Sequence, residues 1–154
     1  MPKISNELDL ALLRQSIEVS RSAPPSMTAF SVGCVIVDAN HQVVGTGYSR
    51  EFGETWHAEA VAIEKARDQS VDLAGCTLYT SLEPCSVRKS GRRPCCDLIL
   101  EVGIQRVVFA SREASIFVEG RGAETLSAAG IELSEIESLA AEVESVNFHL
   151  LGGK

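Results

Sequence analysis

VGCVIVDANHQVVGTGY, residues 32–48, holds two runs of strand-forming residues, 32–38 and 42–48, on either side of the short turn Ala39-Asn40-His41. Valine and isoleucine crowd a pleated surface well, and a polar three-residue join lets one run fold back on the other. The segment therefore reads as a β-hairpin. Before it, residues 6–21 place Leu8, Leu12, Leu13 and Val19 on one helical stripe that must end by Pro24-Pro25. After it, the period turns helical from Thr55 to Gln69, with Thr55 a candidate cap and Ala58, Val61, Ala62, Lys65 and Ala66 at helical spacing.

Further on, CTLYTSL (76–82) reads as a third strand, and a helix follows Pro94 and stops at Gly103. RVVFA (106–110) is a fourth strand, 121–129 a short helix, 131–133 a fifth strand and 134–150 a closing helix. A hairpin followed by alternating helices and strands predicts an α/β fold: a mixed five-stranded sheet with helices on both faces. The helices near His57 and Cys95 would start at carboxyl ends of strands, where open α/β sheets bind their ligands.

With 154 residues, 45% of them apolar and 23% charged, the chain is sized for one compact domain spanning 1–154 that needs no disulfide staples. Fourteen Lys plus Arg against 21 Asp plus Glu leave a net charge of −7. That sign argues against a protein gripping nucleic acid by bulk electrostatics. No basic-then-apolar leader opens the chain, and no apolar run approaches the roughly 20 residues needed to span a bilayer. The expectation is a soluble cytoplasmic protein with no membrane partner. Three of the five cysteines crowd between 85 and 96, which in a reducing compartment points to metal ligation before disulfides.

The chemistry lies in three short pieces: His57-Ala58-Glu59, Glu83-Pro84-Cys85 and Arg93-Pro94-Cys95. One imidazole and two thiolates suit a tetrahedral zinc ion that keeps its fourth position for solvent. Glu59, two residues from His57, is badly spaced to be a second ligand from the same helix and is placed instead to shuttle protons. H-x-E followed by P-C-x-x-C is the signature of the zinc deaminases, in which the glutamate moves protons and is not a ligand. The first half fits here, and the second is stretched, with nine residues between Cys85 and Cys95. Of the adjacent pair, Cys95 directly follows Pro94 and is the expected ligand, whereas Cys96, Cys34 and Cys76 read as small core residues. His41 and His149 have no motif around them and read as surface residues.

TSLEPCSVRKSGRRPCCDLIL (80–100) is similar to the deaminases of riboflavin biosynthesis, whose pattern is T-x-E-P-C-S, a glycine-containing loop, then P-C and an apolar helix. AFSVGCVIVD (29–38), GTGYSRE (45–51), WHAE (56–59), the run 113–118 and the stretch 122–131 resemble the corresponding parts of that family, so the likeness covers roughly 28–133. It implies a three-layer α/β/α, cytidine-deaminase-like fold, a Zn²⁺ cofactor held by His57, Cys85 and Cys95, and Glu59 as the catalytic group. The long loop most resembles the fungal stand-alone type, which acts on the ribitylamino-pyrimidine phosphate; the reductase domain of the bacterial bifunctional type has no counterpart in these residues. The superfamily's habit of pairing implies a homodimer.

Arg88, Lys89, Arg92 and Arg93 put four cations within six residues of an otherwise acidic chain. Guanidinium forks match phosphate oxygens in pairs, so Arg88 and Arg92 are candidates for a substrate phosphate, with Ser90 and Gly91 letting the backbone approach it. A plain solvated turn is the alternative. The carbonyl of Ser81 is a candidate acceptor for the leaving amine, and Phe30 a candidate pocket wall, with core packing as the other option for Phe30; Trp56 divides in the same way. Two further functions fit the residues: a related deaminase acting on another aminated base, nucleoside or nucleotide, and a non-catalytic zinc domain kept for assembly. Glu59 speaks against the second, since a purely structural metal has no use for a carboxylate there.

Overall fold

The computed structural model describes residues 6–24, 26, 30–85, 94–112 and 122–148. Its elements in chain order are α1 (Asn6–Ser20), β1 (Gly33–Val37), β2 (Val43–Tyr48), α2 (Ala58–Asp68), β3 (Thr77–Leu82), α3 (Cys95–Glu101), β4 (Arg106–Ser111), α4 (Gly122–Ala128) and β5 (Glu132–Glu135). A 3-10 turn (Glu137–Leu139) and α5 (Ala140–Val146) follow. The five strands form one sheet in the order β2-β1-β3-β4-β5. β1 runs antiparallel to both neighbours, while β3, β4 and β5 are parallel. The carboxyl ends of β2 through β5 therefore share one edge of the sheet.

Alternation along the strands feeds two cores. Cys34, Ile36, Leu78, Val107 and Phe109 face a layer made by α2, α3 and α4. Val35, Val37, Tyr79, Val108 and Ala110 face α1 and α5. Strands buried on both faces need apolar residues at every position, which is why β1 reads GCVIV with no polar interruption. Each fully buried Leu, Ile or Val in these layers contributes about 1.5–3 kcal/mol over leaving it in water. On the helix side of the second core, Ile17 is fully buried beside Leu12 and Leu13, a position the sequence stripe did not single out.

Two boundaries differ from expectation. Helix α2 begins at Ala58, three residues after Thr55; Trp56 N–H donates to the Gly53 carbonyl and Arg50 N–H to the Trp56 carbonyl, so 53–56 is spent in a turn. The segment expected to be a helix from 134 stays extended longer, because Ile136 N–H continues the ladder to the Phe109 carbonyl; only from Glu137 does it coil. The helix α2 lies unusually close to β2. A Cβ on Gly47 would sit 2.5 Å from the Ala58 carbonyl oxygen and 2.7 Å from the Ala62 nitrogen, so a side chain there would push away the very turn that carries His57.

Candidate metal centre

His57 is the N-cap residue of α2, with extended backbone angles (φ −88°, ψ 157°) and no side-chain cap bond. The side chain at this position usually folds back onto the helix's free amides. Here the imidazole turns instead towards two sulfurs: Nδ1 lies 3.5 Å from Cys85 Sγ and 3.5 Å from Cys95 Sγ. The three ligand atoms all fall within 4.8 Å of one another. A tetrahedral zinc with ordinary Zn–N and Zn–S bonds sets nitrogen and sulfur about 3.6 Å apart, so the separations found here fit that ion.

The loop carrying Cys85 is held by the start of α3. Cys95 N–H donates to Cys85 Sγ at 3.3 Å and Cys96 N–H to the Cys85 carbonyl at 3.1 Å. Two amides that the first turn of a helix leaves without partners are thus satisfied by one cysteine. The Cys85 thiol titrates well below the usual thiol range, chiefly through its hydrogen bond with the Cys95 side chain and further through His57, against the opposing effect of burial. A site that favours thiolate is what a zinc ligand requires.

Cys96 points elsewhere. It is fully buried, with Sγ 3.7 Å from the Pro84 carbonyl and 3.6 Å from the Gly122 carbonyl, and burial pushes its thiol up to about 12. The choice of Cys95 over Cys96 agrees with this geometry. Cys34 and Cys76 are buried core residues, as expected, and His41 is exposed in the hairpin turn. His149 lies outside the described residues.

Glu59 sits in the first turn of α2, only 3% exposed, beside the ligand cluster. Its Oε1 is 3.6 Å from Cys95 Sγ, and its Oε2 accepts a 2.7 Å hydrogen bond from the Thr80 hydroxyl. Burial raises the carboxyl's pKa, His57 and the Thr80 hydrogen bond oppose the rise, and Cys85 adds to it. A buried carboxyl whose pKa is raised beside a ligand cluster is a candidate for proton transfer.

Sequence reading gave no role to two contributors. Thr80 only opens the stretch that resembles the family, yet strand parity places it with Leu78 on the α2 face of β3. Glu83 is buried and accepts the Ala123 N–H at 2.8 Å, tying the metal loop to the start of α4. That approach is tight: a Cβ on Gly122 would fall 1.6 Å from the Pro84 carbonyl oxygen.

Of the candidate substrate contacts, Ser81 is buried and its hydroxyl accepts the Gly33 N–H at 3.1 Å. Phe30 packs with the α1–α5 core and lines a cavity of about 130 Å³ with Leu82, Ser111, Arg112, Val143 and Asn147. Neither belongs to the ligand cluster. Arg88, Lys89, Ser90, Gly91, Arg92 and Arg93 lie outside the described residues. Trp56 is half-buried and meets Phe52 edge to face, centroids 5.2 Å apart.

Known proteins agree with this geometry. The chain is 40% identical over 123 residues to a diaminohydroxyphosphoribosylamino-pyrimidine deaminase of Schizosaccharomyces pombe, a match covering 79% of this chain and 30% of that protein. The chain thus spans about a third of the length of the first curated relatives it matches. A protein of the same name from Buchnera aphidicola is 36% identical over 117 residues, with 76% of this chain and 75% of that one covered. Among solved structures, the Rib2 deaminase of Aspergillus oryzae superposes with a TM-score of 0.77 at 28% identity, over 90% of this chain and 89% of that one. Residues 6–111 match the family described as the cytidine and deoxycytidylate deaminase zinc-binding region. With its donor set at zinc spacing and its carboxylate alongside, the chain belongs to that zinc-binding deaminase family.

Proposed function

We propose that the chain is a zinc-dependent aminohydrolase that removes an exocyclic amino group from a diaminopyrimidinone bearing a phosphorylated sugar-derived amine, a reaction of riboflavin biosynthesis. The observation that carries this reading is the Glu59 carboxylate lying against a three-ligand cluster, a catalytic rather than a structural donor set. His57, Cys85 and Cys95 would hold the ion, which when bound would supply Lewis acidity and make water nucleophilic near neutral pH. Glu59 accepts the proton of the attacking water and returns protons to the ring nitrogen and the departing amine. The ring carbon gains oxygen, the carbon–nitrogen bond breaks and ammonia leaves.

The loop's likeness to the fungal stand-alone deaminases supports 2,5-diamino-6-ribitylamino-4(3H)-pyrimidinone 5'-phosphate as substrate. The names of the Schizosaccharomyces and Buchnera relatives favour the unreduced ribosylamino counterpart as the second reading. Arg88 and Arg92 bind the phosphate, Ser90 and Gly91 let the backbone approach it, Ser81 receives the leaving amine through its carbonyl and Phe30 walls the pocket. The chain works as one domain in a homodimer in the cytoplasm; among the described residues no helix is long and apolar enough to cross a membrane.

Ammonia release from the ribityl and ribosyl phosphates, each with and without the phosphate, tests the reading. Preference for the ribityl phosphate is expected, with activity falling when the phosphate is removed. Release from neither sugar form refutes the substrate class, and equal affinity without phosphate discards the basic loop. Glu59→Gln is expected to keep its zinc and lose about 10²–10⁴-fold in turnover; near-normal turnover would remove Glu59 from the mechanism. Sedimentation velocity reads the dimer.

A further inference from the structure

The Glu59 carboxylate is divided between two neighbours. Oε1 faces the ligand cluster, 3.6 Å from Cys95 Sγ, while Oε2 is turned back to the sheet and takes the Thr80 hydroxyl proton at 2.7 Å. Thr80 is fully buried in β3, the central strand, which is paired on one side with β1 and on the other with β4. Its backbone therefore has little freedom, and its hydroxyl is a fixed point. With one carboxylate oxygen fixed to the sheet, the other is left facing the cluster.

We propose that Thr80 is the positioning residue for Glu59: its hydroxyl anchors one carboxylate oxygen so that the other stays aimed at the reacting centre. The idea rests on the deaminase reading, and it assigns a role to a residue outside the metal motifs. Thr80 is not one of the three clustered ligands, and its part in the reaction is exerted through Glu59. An unanchored carboxylate can turn about its last torsion, a broad and soft one, and spend much of its time misdirected.

Thr80→Val keeps the shape of the side chain and removes the donor; Thr80→Ser keeps the donor and removes a methyl. In the zinc-loaded protein, Thr80→Val is expected to retain wild-type zinc content and to lower kcat about 10- to 100-fold with KM little changed, the scale of one hydrogen bond to a charged group. Thr80→Ser is expected to restore most of the loss. In a Glu59→Gln background the valine should cost nothing further, because the two residues act as one unit. Wild-type kcat in Thr80→Val, a loss that tracks zinc content or melting temperature, or a serine variant as poor as the valine would each overturn the role.

A second readout does not depend on the substrate. Crystal structures of the zinc-loaded proteins should show Glu59 in one orientation in the wild type and in several, or turned away, in Thr80→Val. An unchanged, singly ordered Glu59 overturns the proposal. If the wild type releases no ammonia from any aminopyrimidine, the deaminase reading fails while this structural arm still decides the anchor.

Discussion

Replacing Cys95 by serine removes a sulfur 3.5 Å from His57 Nδ1, whereas replacing its neighbour Cys96 removes one that faces the carbonyls of Pro84 and Gly122. Cys95→Ser should therefore lose its zinc, and Cys96→Ser should keep a stoichiometric ion; metal analysis of the purified variants checks both. Zinc loss from Cys96→Ser with the fold intact would mean that the second cysteine reaches the metal. At this scale the ligands were legible because imidazole and thiolate declare their chemistry by residue type, and Pro94 marks which cysteine opens the helix. Thr80 was not, since a threonine in a strand carries no spacing signature. Only its parity with Leu78, combined with knowing that α2 lies on that face, brings it to Glu59. The loop 86–93 offers a clear charge pattern, yet pattern alone cannot say whether four cations meet one phosphate.

Three elements are tied by one buried polar knot. Asp9 of α1 accepts the Tyr79 hydroxyl from β3 at 2.6 Å and a forked pair of bonds from Arg106 of β4 at 3.0 and 2.8 Å. The ion pair is nearly dry, with side-chain exposures of 12% for Arg106 and 5% for Asp9. Arg106→Met would leave the buried carboxylate with the Tyr79 hydroxyl but without its counter-charge and is expected to cost about 3 kcal/mol in urea unfolding. Tyr79 titrates far above its ordinary value, first through burial and then through the hydrogen bond to Asp9. A folded-state pKa above the unfolded one means the contribution is intact below about pH 10 and lost as pH rises towards the folded value. Denaturation midpoints should fall on the alkaline side of pH 10, and Tyr79→Phe, though less stable at neutral pH, should show a shallower alkaline decline. None of this knot was read from the sequence, because Asp9 and Arg106 stand 97 residues apart in elements whose order in the sheet had to be known first. Element existence was easier: periodicity located all five strands. What it misjudged were the two ends where backbone bonds to distant carbonyls, rather than local propensity, decide the path.

For the molecule as a whole, the sheet edge gathers what the chain scatters. His57 follows β2 and Cys85 follows β3, and because those strands point the same way their carboxyl ends deliver both ligands to one place. The alternation of helices and strands made a mixed sheet with two helical layers legible, but the strand order needed tertiary pairing. The family match stops at Ser111, while α4, β5 and α5 lie beyond it. A chain cut after Ser111 should fail to retain zinc, measured by metal content of the soluble fraction, since Glu83 would lose the Ala123 amide it grips. The narrow gap between α4 and Pro84 sharpens the point. Only a hydrogen fits at Gly122, so even the smallest branch at this position would shove the shelf beneath Cys85 and open the jaws of the metal clasp. For this chain, the distal third works as a doorstop for the zinc loop, and the mildest mutation far outside the recognised motifs would act as a metal-release mutation.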